Sequence, residues 1–331
     1  MTTRVAINGF GRIGRAVTRI ALGRTDVDLV AINDLVAPEL LAHLLRYDSV
    51  HGRLTVPVEV ADGRMNLGGK EIAVLCEPDP ALLPWGELGV DVVIESTGMF
   101  TDGERAAAHL KAGASRVLIS APATNVDLTL VRGVNDDDYD GSQRIVSNAS
   151  CTTNCAALLA KVLHERFGIR HAVMNTAHAY TSDQRLHDAP HRDFRRARAA
   201  AVNIVPTTTG AARAVGVVLP ALAGRIDGLA MRVPVLDGSV VDLTAELDSP
   251  ATASAINEVF AEAAGGELAG LLDYSEAPLV SSDIVTTAVS CTFDAPLTLT
   301  TGPLAKVIGW YDNEYGFSHR TLDVAARLGA R

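Results

Sequence analysis

The chain has 331 residues, of which 48% are hydrophobic and 21% are charged, so it can bury a sizeable core. Its length predicts about two domains. The formal net charge of −10 disfavours broad binding to nucleic acid or to an anionic membrane, because both need a basic face. No apolar run reaches the ~18 residues of a transmembrane helix, and the N-terminus lacks a signal-peptide pattern. We therefore expect a cytoplasmic protein.

The first half of the chain alternates short apolar strands with amphipathic helices. Strands are predicted at 4–8, 27–33, 91–95, 116–120 and 145–147, and helices at 11–23, 38–46 and 102–112. This alternation predicts an α/β domain with a doubly wound parallel sheet.

After residue 150 the pattern changes to a helix, a long polar segment and then longer strands with one buried face. The predicted elements are a helix at 153–166, an arginine-rich segment at 179–201, strands at 228–234, 239–247 and 304–311, and a helix at 318–329. Strands with one buried face predict a mainly antiparallel sheet, as in an α+β domain. The domain boundary is expected at about residue 150.

A glycine-rich motif lies between the first strand and the first helix. Gly9, Gly11 and Gly14 fit the pattern G-x-G-x-x-G, and Asp34 ends the second strand twenty residues further on. The glycines let the backbone approach a pyrophosphate at the helix N-terminus, and the acidic side chain suits the ribose hydroxyls. Its charge would repel a 2′-phosphate, which favours NAD over NADP.

Four cysteines are too few for a disulfide framework, and their spacing favours no metal site. Cys151 lies where a strand is predicted to meet a helix, and a helix N-terminus lowers a thiol pKa. Thr152 and Thr153 are expected to help cap this helix. His178 follows an apolar run and is the candidate base for a nucleophilic cysteine. Cys155, one turn further, is expected to be structural.

Several motifs together resemble the phosphorylating glyceraldehyde-3-phosphate dehydrogenases, from one end of the chain to the other. These motifs are AINGFGRIGR, NDL at 33–35, ESTGMF at 95–100, ISAPA at 119–123, SNASCTTNC at 147–155, HAYTSDQR from 178, NIVPTTTGAA, MRVP, VSSDIV and WYDNEYGFS at 310–318. The resemblance implies an NAD-binding domain at 1–150, joined by the C-terminal helix at about 316–331, and a catalytic domain at 151–315. It also implies a homotetramer.

The resemblance also implies a role for each matching residue. Cys151 would be the nucleophile and His178 its base. Arg12 and Ile13 would flank the pyrophosphate beside the three glycines, Asp34 would bind the ribose, and Ser120 and Asn313 would lie on the nicotinamide side. Thr181 and Arg232 would bind the substrate phosphate, and inorganic phosphate would be bound by Ser150, Thr152, Arg196, Thr209 and Gly210. The implied reaction oxidises glyceraldehyde 3-phosphate to 1,3-bisphosphoglycerate through a cysteine thioester.

The sequence departs from the family pattern at several positions. Pro78 replaces a usual arginine, Asn175 replaces a usual threonine, and residues 286–289 replace a usual turn with glycine and proline. Tyr315 and Phe317 also differ. We expect Asn175 and 286–289 to lie near the nucleophile, which suggests an isoform with altered sensitivity to cysteine-directed inhibitors.

Two other functions remain open at this level, and a third does not fit the motifs. An erythrose-4-phosphate dehydrogenase would hydrolyse the thioester, although retention of Arg196, Thr209 and Gly210 favours phosphate as the acceptor. A non-catalytic NAD-bound interaction protein does not explain an intact pair of Cys151 and His178. A thiol hydrolase without a cofactor does not explain the glycine motif.

Overall fold

The computed structural model describes residues 2–330, and their contacts divide them into two compact units. Unit 1 contains the residues up to Leu130, then Asp136–Ala149, and those from Ser318 onward. Unit 2 contains Val131–Asn135 and Ser150–Phe317. Within the described residues, no helix is both long enough and apolar enough to cross a membrane.

Unit 1 is built on a nine-stranded, mostly parallel sheet. Its strands, with a separate two-stranded ribbon (β3 and β4), are β1 (Thr3–Asn8), β2 (Val27–Asn33), β3 (Tyr47–Asp48), β4 (Gly52–Arg53), β5 (Val58–Ala61), β6 (Arg64–Leu67), β7 (Lys70–Leu75), β8 (Val92–Glu95), β9 (Arg116–Ile119), β10 (Leu128–Thr129) and β11 (Ile145–Ser147). The order is β10-β11-β9-β8-β1-β2-β7-β6-β5. The sheet order reverses direction at β1 and β8, which is where doubly wound folds bind dinucleotides. The predicted fold class is confirmed.

The antiparallel edge of this sheet was not predicted from the sequence. Strands β5, β6 and β7 pair antiparallel in a meander. The two turns carry Asp62-Gly63 and Gly68-Gly69, and all four residues have positive φ. Asp-Gly and Gly-Gly are strong hairpin signals, because both central residues of such a turn need positive φ.

The helices of unit 1 flank the sheet, and the predicted helices are present. They are α1 (Arg12–Ala21), α2 (Pro38–Arg46), α3 (Gly103–Ala106) and α4 (Ala108–Lys111), with 3₁₀ turns at Pro80–Leu82 and Asp136–Asp138. Val17 and Ile20 of α1 lie in the core, as their spacing predicts. The helix predicted at 102–112 is divided at Ala107 into α3 and α4.

Unit 2 contains an eight-stranded sheet with five antiparallel and two parallel pairings. Its strands are β12 (Ile169–Ala179), β13 (Val205–Thr208), β14 (Ile226–Val233), β15 (Ser239–Leu247), β16 (Leu272–Ser275), β17 (Cys291–Asp294), β18 (Leu299–Thr301) and β19 (Leu304–Tyr311). The prediction of a mainly antiparallel sheet is confirmed. The long strand β12 lies between β14 and β15 and carries alternate residues to opposite faces.

One face of this sheet is covered by helices. These are α5 (Cys151–Phe167), α6 (Ala211–Val218), α7 (Ala253–Gly265) and α8 (Ser281–Ile284), with 3₁₀ turns at Ala200–Val202, Pro220–Leu222 and Ala295–Leu297. Helix α5 is buried along most of its length, and Gly168 ends it with a φ of 69°. The last helix, α9 (Tyr315–Gly329), begins three residues earlier than predicted.

Candidate active site

The glycine motif forms a tight turn between β1 and α1. Gly9 has a φ of 96°, and a Cβ at this position would lie 2.6 Å from the backbone nitrogen of Thr97. A Cβ on Gly14 would lie 2.3 Å from the carbonyl oxygen of Gly9. A Cβ on Gly11 would meet nothing within 4 Å, so this glycine faces open space. No side chain caps the start of α1 at Gly11, so its N-terminal N–H groups suit a pyrophosphate.

The acidic residue after β2 is held against this turn. Asp34 Oδ2 accepts a hydrogen bond from the backbone N–H of Phe10 at 2.7 Å, and Oδ1 accepts one from Val36 at 3.2 Å. These contacts fix a carboxylate beside the glycine turn, as binding of ribose hydroxyls requires. The guanidinium of Arg12 does not bond Asp34. It forms a bidentate ion pair with Asp48, with N–O distances of 2.5 and 3.1 Å.

Ser120 follows β9 at the carboxyl edge of the same sheet. Its hydroxyl donates to the carbonyl oxygen of Glu95 at 3.0 Å, so it is fixed to the end of the neighbouring strand β8. The turn, Asp34 and Ser120 together fit the binding of a dinucleotide.

In unit 2 the predicted nucleophile and base meet. Cys151 is the first residue of α5, and His178 lies near the end of β12. Their Sγ and Nε2 atoms are 3.5 Å apart. Nδ1 of His178 is 2.6 Å from the carbonyl oxygen of Ala179, which can only accept, so Nδ1 carries the proton. Nε2 is therefore the lone-pair nitrogen and faces the thiol, as a general base must.

The expectation of a lowered thiol pKa is wrong. Burial raises the pKa of Cys151 to about 11, although the positive charge of Arg232 and hydrogen bonds involving Thr152 act against the increase. Burial and, to a lesser extent, the positive charge of Arg232 lower the pKa of His178 to about 4. Desolvation thus outweighs the favourable position at the helix N-terminus. Both members of the pair are neutral at pH 7, so the proton must move from sulfur to nitrogen during the reaction.

A buried tyrosine, which the sequence analysis did not single out, supports this pair. The hydroxyl of Tyr311 lies 2.8 Å from the hydroxyls of both Thr152 and Thr176. Its ring packs edge-on against His178, with the ring centres 5.9 Å apart. Tyr311 belongs to the motif at 310–318, but only the pairing of β19 with β15 brings this residue near β12. It therefore links the start of α5 to the strand that carries the base.

The cap of α5 also differs from the expectation. Ser150 caps the helix, because its Oγ accepts a hydrogen bond from the N–H of Thr153 at 3.0 Å. Thr152 is buried, and its hydroxyl is engaged by Tyr311. Among the residues expected to bind inorganic phosphate, Ser150, Thr152 and Thr209 therefore all have hydroxyl groups with a protein partner.

Two arginines of the expected phosphate sites are linked by one carboxylate. Arg232 Nη1 donates to the hydroxyl of Thr181 at 2.6 Å, and the same nitrogen lies 4.0 Å from Oδ1 of Asp183. Arg196 Nη1 bonds Oδ2 of Asp183 at 2.6 Å, and its Nε donates to Thr207 at 2.8 Å. Asp183 was not predicted from the sequence as a site residue. The structure thus brings Thr181, Arg196 and Arg232 into one network of charged and hydroxyl groups.

The remaining predicted residues of unit 2 take defined positions. Gly210 precedes α6, and the hydroxyl of Thr209 accepts the N–H of Ala211 at 3.1 Å. Asn313 accepts a hydrogen bond from Ser239 at 2.6 Å through Oδ1. Hydrogen bonds therefore fix the positions of both Thr209 and Asn313.

Asn175 does not lie on the side of the nucleophile, which corrects the expectation. Residues 175 and 178 are an odd number apart on β12, so their side chains point to opposite faces of the sheet. Asn175 lines a cavity on the outer face with Leu229 and Lys306. Thr286 adopts a φ of 69°, and its N–H donates to Asp312 at 2.7 Å. Altered inhibitor sensitivity stays a prediction, and it now depends on residues 286–289 alone.

Cys155 is structural in position, as expected. It is fully buried in α5, and its Sγ lies 3.6 Å from the carbonyl oxygen of Gly309. A Cβ on Gly309 would lie 2.7 Å from the sulfur of Cys291 and 3.0 Å from that of Cys155. Glycine at this position lets α5 pack closely on β19.

Comparison with known proteins matches both units to one protein family. Residues 3–103 match the NAD binding domain of glyceraldehyde 3-phosphate dehydrogenase, and residues 150–313 match its C-terminal domain. The chain is 55% identical to glyceraldehyde-3-phosphate dehydrogenase 2 of Streptomyces arenae over 332 residues, and 56% identical to the enzyme of Geobacillus stearothermophilus over 333 residues. Each alignment covers 100% of this chain and 99% of the relative. The chain therefore belongs to the glyceraldehyde-3-phosphate dehydrogenase family.

Proposed function

We propose that the chain catalyses the NAD-dependent oxidation and phosphorylation of D-glyceraldehyde 3-phosphate to 1,3-bisphosphoglycerate. The observation that carries this proposal is the contact of Cys151 with the lone-pair nitrogen of His178. A thiol beside a neutral base suits attack on an aldehyde. The matches to the family over both units agree with this activity.

NAD is assigned to the turn of Gly9, Gly11, Arg12, Ile13 and Gly14. Asp34 would bind the adenosine ribose, and Ser120 and Asn313 would lie on the nicotinamide side. Three observations support the fit: the absence of space for a Cβ at Gly9, the open space at Gly11 and the fixed carboxylate of Asp34. When bound, NAD⁺ supplies the acceptor for the hydride that leaves the substrate.

The protein's own groups perform the proton transfers. His178 takes the thiol proton as the sulfur of Cys151 attacks the aldehyde carbon, and it returns this proton to the former aldehyde oxygen, which gives a neutral thiohemiacetal. His178 then receives the proton of the thiohemiacetal hydroxyl as oxidation produces a thioester on Cys151. Attack of inorganic phosphate on the thioester carbon releases the acyl phosphate and restores the thiolate. The N–H of Cys151 at the start of α5 would stabilise negative charge on the carbonyl oxygen.

The anions are assigned to the arginine network. Thr181 and Arg232 would bind the substrate phosphate, and Ser150, Thr152, Arg196, Thr209 and Gly210 would bind inorganic phosphate. Guanidinium and hydroxyl groups in one network support this assignment, because planar guanidinium groups suit phosphate oxygens. Positive charge from Arg232 also favours the thiolate form of Cys151.

The decisive experiment measures NADH formation from glyceraldehyde 3-phosphate with phosphate present, absent or replaced by arsenate. We expect turnover that requires phosphate or arsenate, and no turnover in Cys151→Ser. Equal rates with and without an acceptor anion would instead indicate hydrolysis of the thioester. A clear preference for erythrose 4-phosphate would favour the alternative dehydrogenase, and the absence of NADH with both aldehydes would favour an interaction protein.

We further propose a homotetramer in the cytoplasm, with the 179–202 segment in contact with a neighbouring copy. Exposed apolar side chains in this segment support the assembly, including Leu186, Phe194 and Val202 at 76–87% exposure. Val173 and Leu229 also leave the outer face of the unit 2 sheet apolar. Light scattering coupled to size exclusion should give four times the chain mass. Elution as a monomer would contradict this assembly.

A further inference from the structure

A buried carboxylate lies beneath the glycine turn of unit 1. Glu95 ends β8 and is 2% exposed. Its Oε2 accepts hydrogen bonds from Asn8 Nδ2 at 2.6 Å and from His109 Nε2 at 3.0 Å. Its Oε1 accepts hydrogen bonds from the N–H of Thr97 at 2.8 Å and from the hydroxyl of the same residue, also at hydrogen-bond distance. The acid is not part of the chemistry proposed above.

Hydrogen-bond partners determine the charge of this cluster. Trp85 Nε1, which can only donate, is 3.0 Å from His109 Nδ1, so Nδ1 is an acceptor. The proton of His109 is therefore on Nε2 and points at Glu95. All four groups facing the carboxyl oxygens can donate, so the carboxylate form of Glu95 is the one that accepts from all of them at once. Burying an anion that only neutral donors balance costs free energy of folding. An apolar residue would serve a purely structural role at this position better.

The two oxygens of Glu95 hold both sides of the close approach between Gly9 and Thr97 in the glycine turn. Asn8 immediately precedes Gly9, and Oε2 fixes its side chain. The backbone nitrogen of Thr97 is the atom that would lie 2.6 Å from a Cβ on Gly9, and Oε1 accepts its hydrogen. The turn is joined further by Ser96, whose hydroxyl donates to the carbonyl oxygen of Gly9 at 2.7 Å.

The cluster also reaches the end of β2. Asn33 Nδ2 donates to Oδ1 of Asn8 at 2.7 Å, and the carbonyl oxygen of Asn33 accepts the N–H of Gly9 at 2.8 Å. The backbone oxygen of Glu95 accepts the hydroxyl of Ser120. One residue therefore connects the carboxyl ends of strands β1, β8 and β9, where the dinucleotide would bind.

We propose that Glu95 is a positioning residue for NAD: its carboxylate holds Asn8 and Thr97 so that the Gly9 turn keeps the shape that accepts the pyrophosphate. His109 and Trp85 hold the carboxylate in turn. Glutamine cannot replace glutamate in this role, because each carboxyl oxygen of Glu95 accepts from two donors. The NH₂ group of a glutamine would face two of these donors in either orientation. Asn8 cannot turn its amide to compensate, since its oxygen is engaged by Asn33, and His109 cannot change tautomer while Trp85 donates to it.

The test measures the Kd for NAD⁺ of Glu95→Gln by calorimetry. We expect the Kd to rise about tenfold, which corresponds to about 1.4 kcal/mol, and turnover at saturating NAD⁺ to stay within about threefold of the parent. The matched control is Val92→Ala, which creates a cavity at a fully buried position of the same strand, β8. This control should lower the melting temperature and leave the Kd unchanged.

Hydrogen exchange without NAD gives a second readout. Glu95→Gln should speed exchange of the Thr97 amide, and Val92→Ala should not. If Glu95→Gln does not fold, His109→Leu removes one donor and should raise the Kd about threefold. An unchanged Kd in the folded Glu95 and His109 variants, or an equal rise in Val92→Ala, would overturn the proposal.

Discussion

Replacement of His178 by asparagine removes the base and leaves the thiol in place at the start of α5. With a pKa of about 11, roughly one Cys151 in 10⁴ is a thiolate at pH 7 when no base assists. General base assistance is typically worth about 10²–10⁴ in rate. We therefore expect His178→Asn to lower the turnover number at pH 7 by about 10²–10⁴, with the Kd for NAD⁺ unchanged.

The pH profile tests the physical reason directly. Because the pKa of His178 is about 4, the base is neutral above that pH, and the parent rate should be nearly constant from about pH 6 to pH 9. In His178→Asn the rate should follow the thiolate fraction and rise about tenfold per pH unit towards pH 11. The deficit of the variant therefore shrinks as the pH increases.

The assay is NADH formation at saturating glyceraldehyde 3-phosphate and phosphate, from pH 6 to pH 10. Calorimetry with NAD⁺ shows whether the variant remains folded and binds the cofactor. A variant that turns over as fast as the parent would refute the assignment of His178 as the base. A deficit that stays constant with pH would refute the argument that the Cys151 thiol is protonated at neutral pH.

Three other predictions concern the cofactor and stability. Asp34→Ala should raise the KM for NAD⁺ about tenfold, because the ribose loses a charged acceptor. The same change should reduce the enzyme's preference for NAD⁺ over NADP⁺. Equal kinetics with NAD⁺ and NADP⁺ in the parent protein would contradict this role of Asp34. The His178 side chain should make the protein less stable in acid. Its unfolded form binds a proton below pH 6.5, while the folded form stays neutral to about pH 4, so the free energy of unfolding falls by about 3 kcal/mol across that window. Urea titrations at several pH values should show this loss in the parent and not in His178→Asn. Thr252→Ala removes the hydroxyl that caps α7 through the N–H of Ala255 and should cost about 1 kcal/mol in chemical denaturation, with no change in KM.

The local features of the chain could be predicted from its amino-acid sequence. The alternation of strands and helices, the glycine motif and the position of Cys151 at the start of α5 all depend on residues close together in sequence. Their physical causes are also local: strand and helix periodicity, and the freedom of glycine to adopt a φ of 96° at Gly9. For this reason, the fold class and the cofactor turn were predictable before the structure was known.

Contacts between distant segments were decided only by the tertiary structure. The pairing of β12 with β15, and of β15 with β19, brings Tyr311 to His178 and places Asn175 on the opposite face of the sheet. The ionisation of Cys151 also depends on folding, because desolvation comes from every residue packed around the sulfur and not from its neighbours in the chain. The sequence alone identified the nucleophile and the base, while their supporting partners followed from strand pairing and their protonation states from burial.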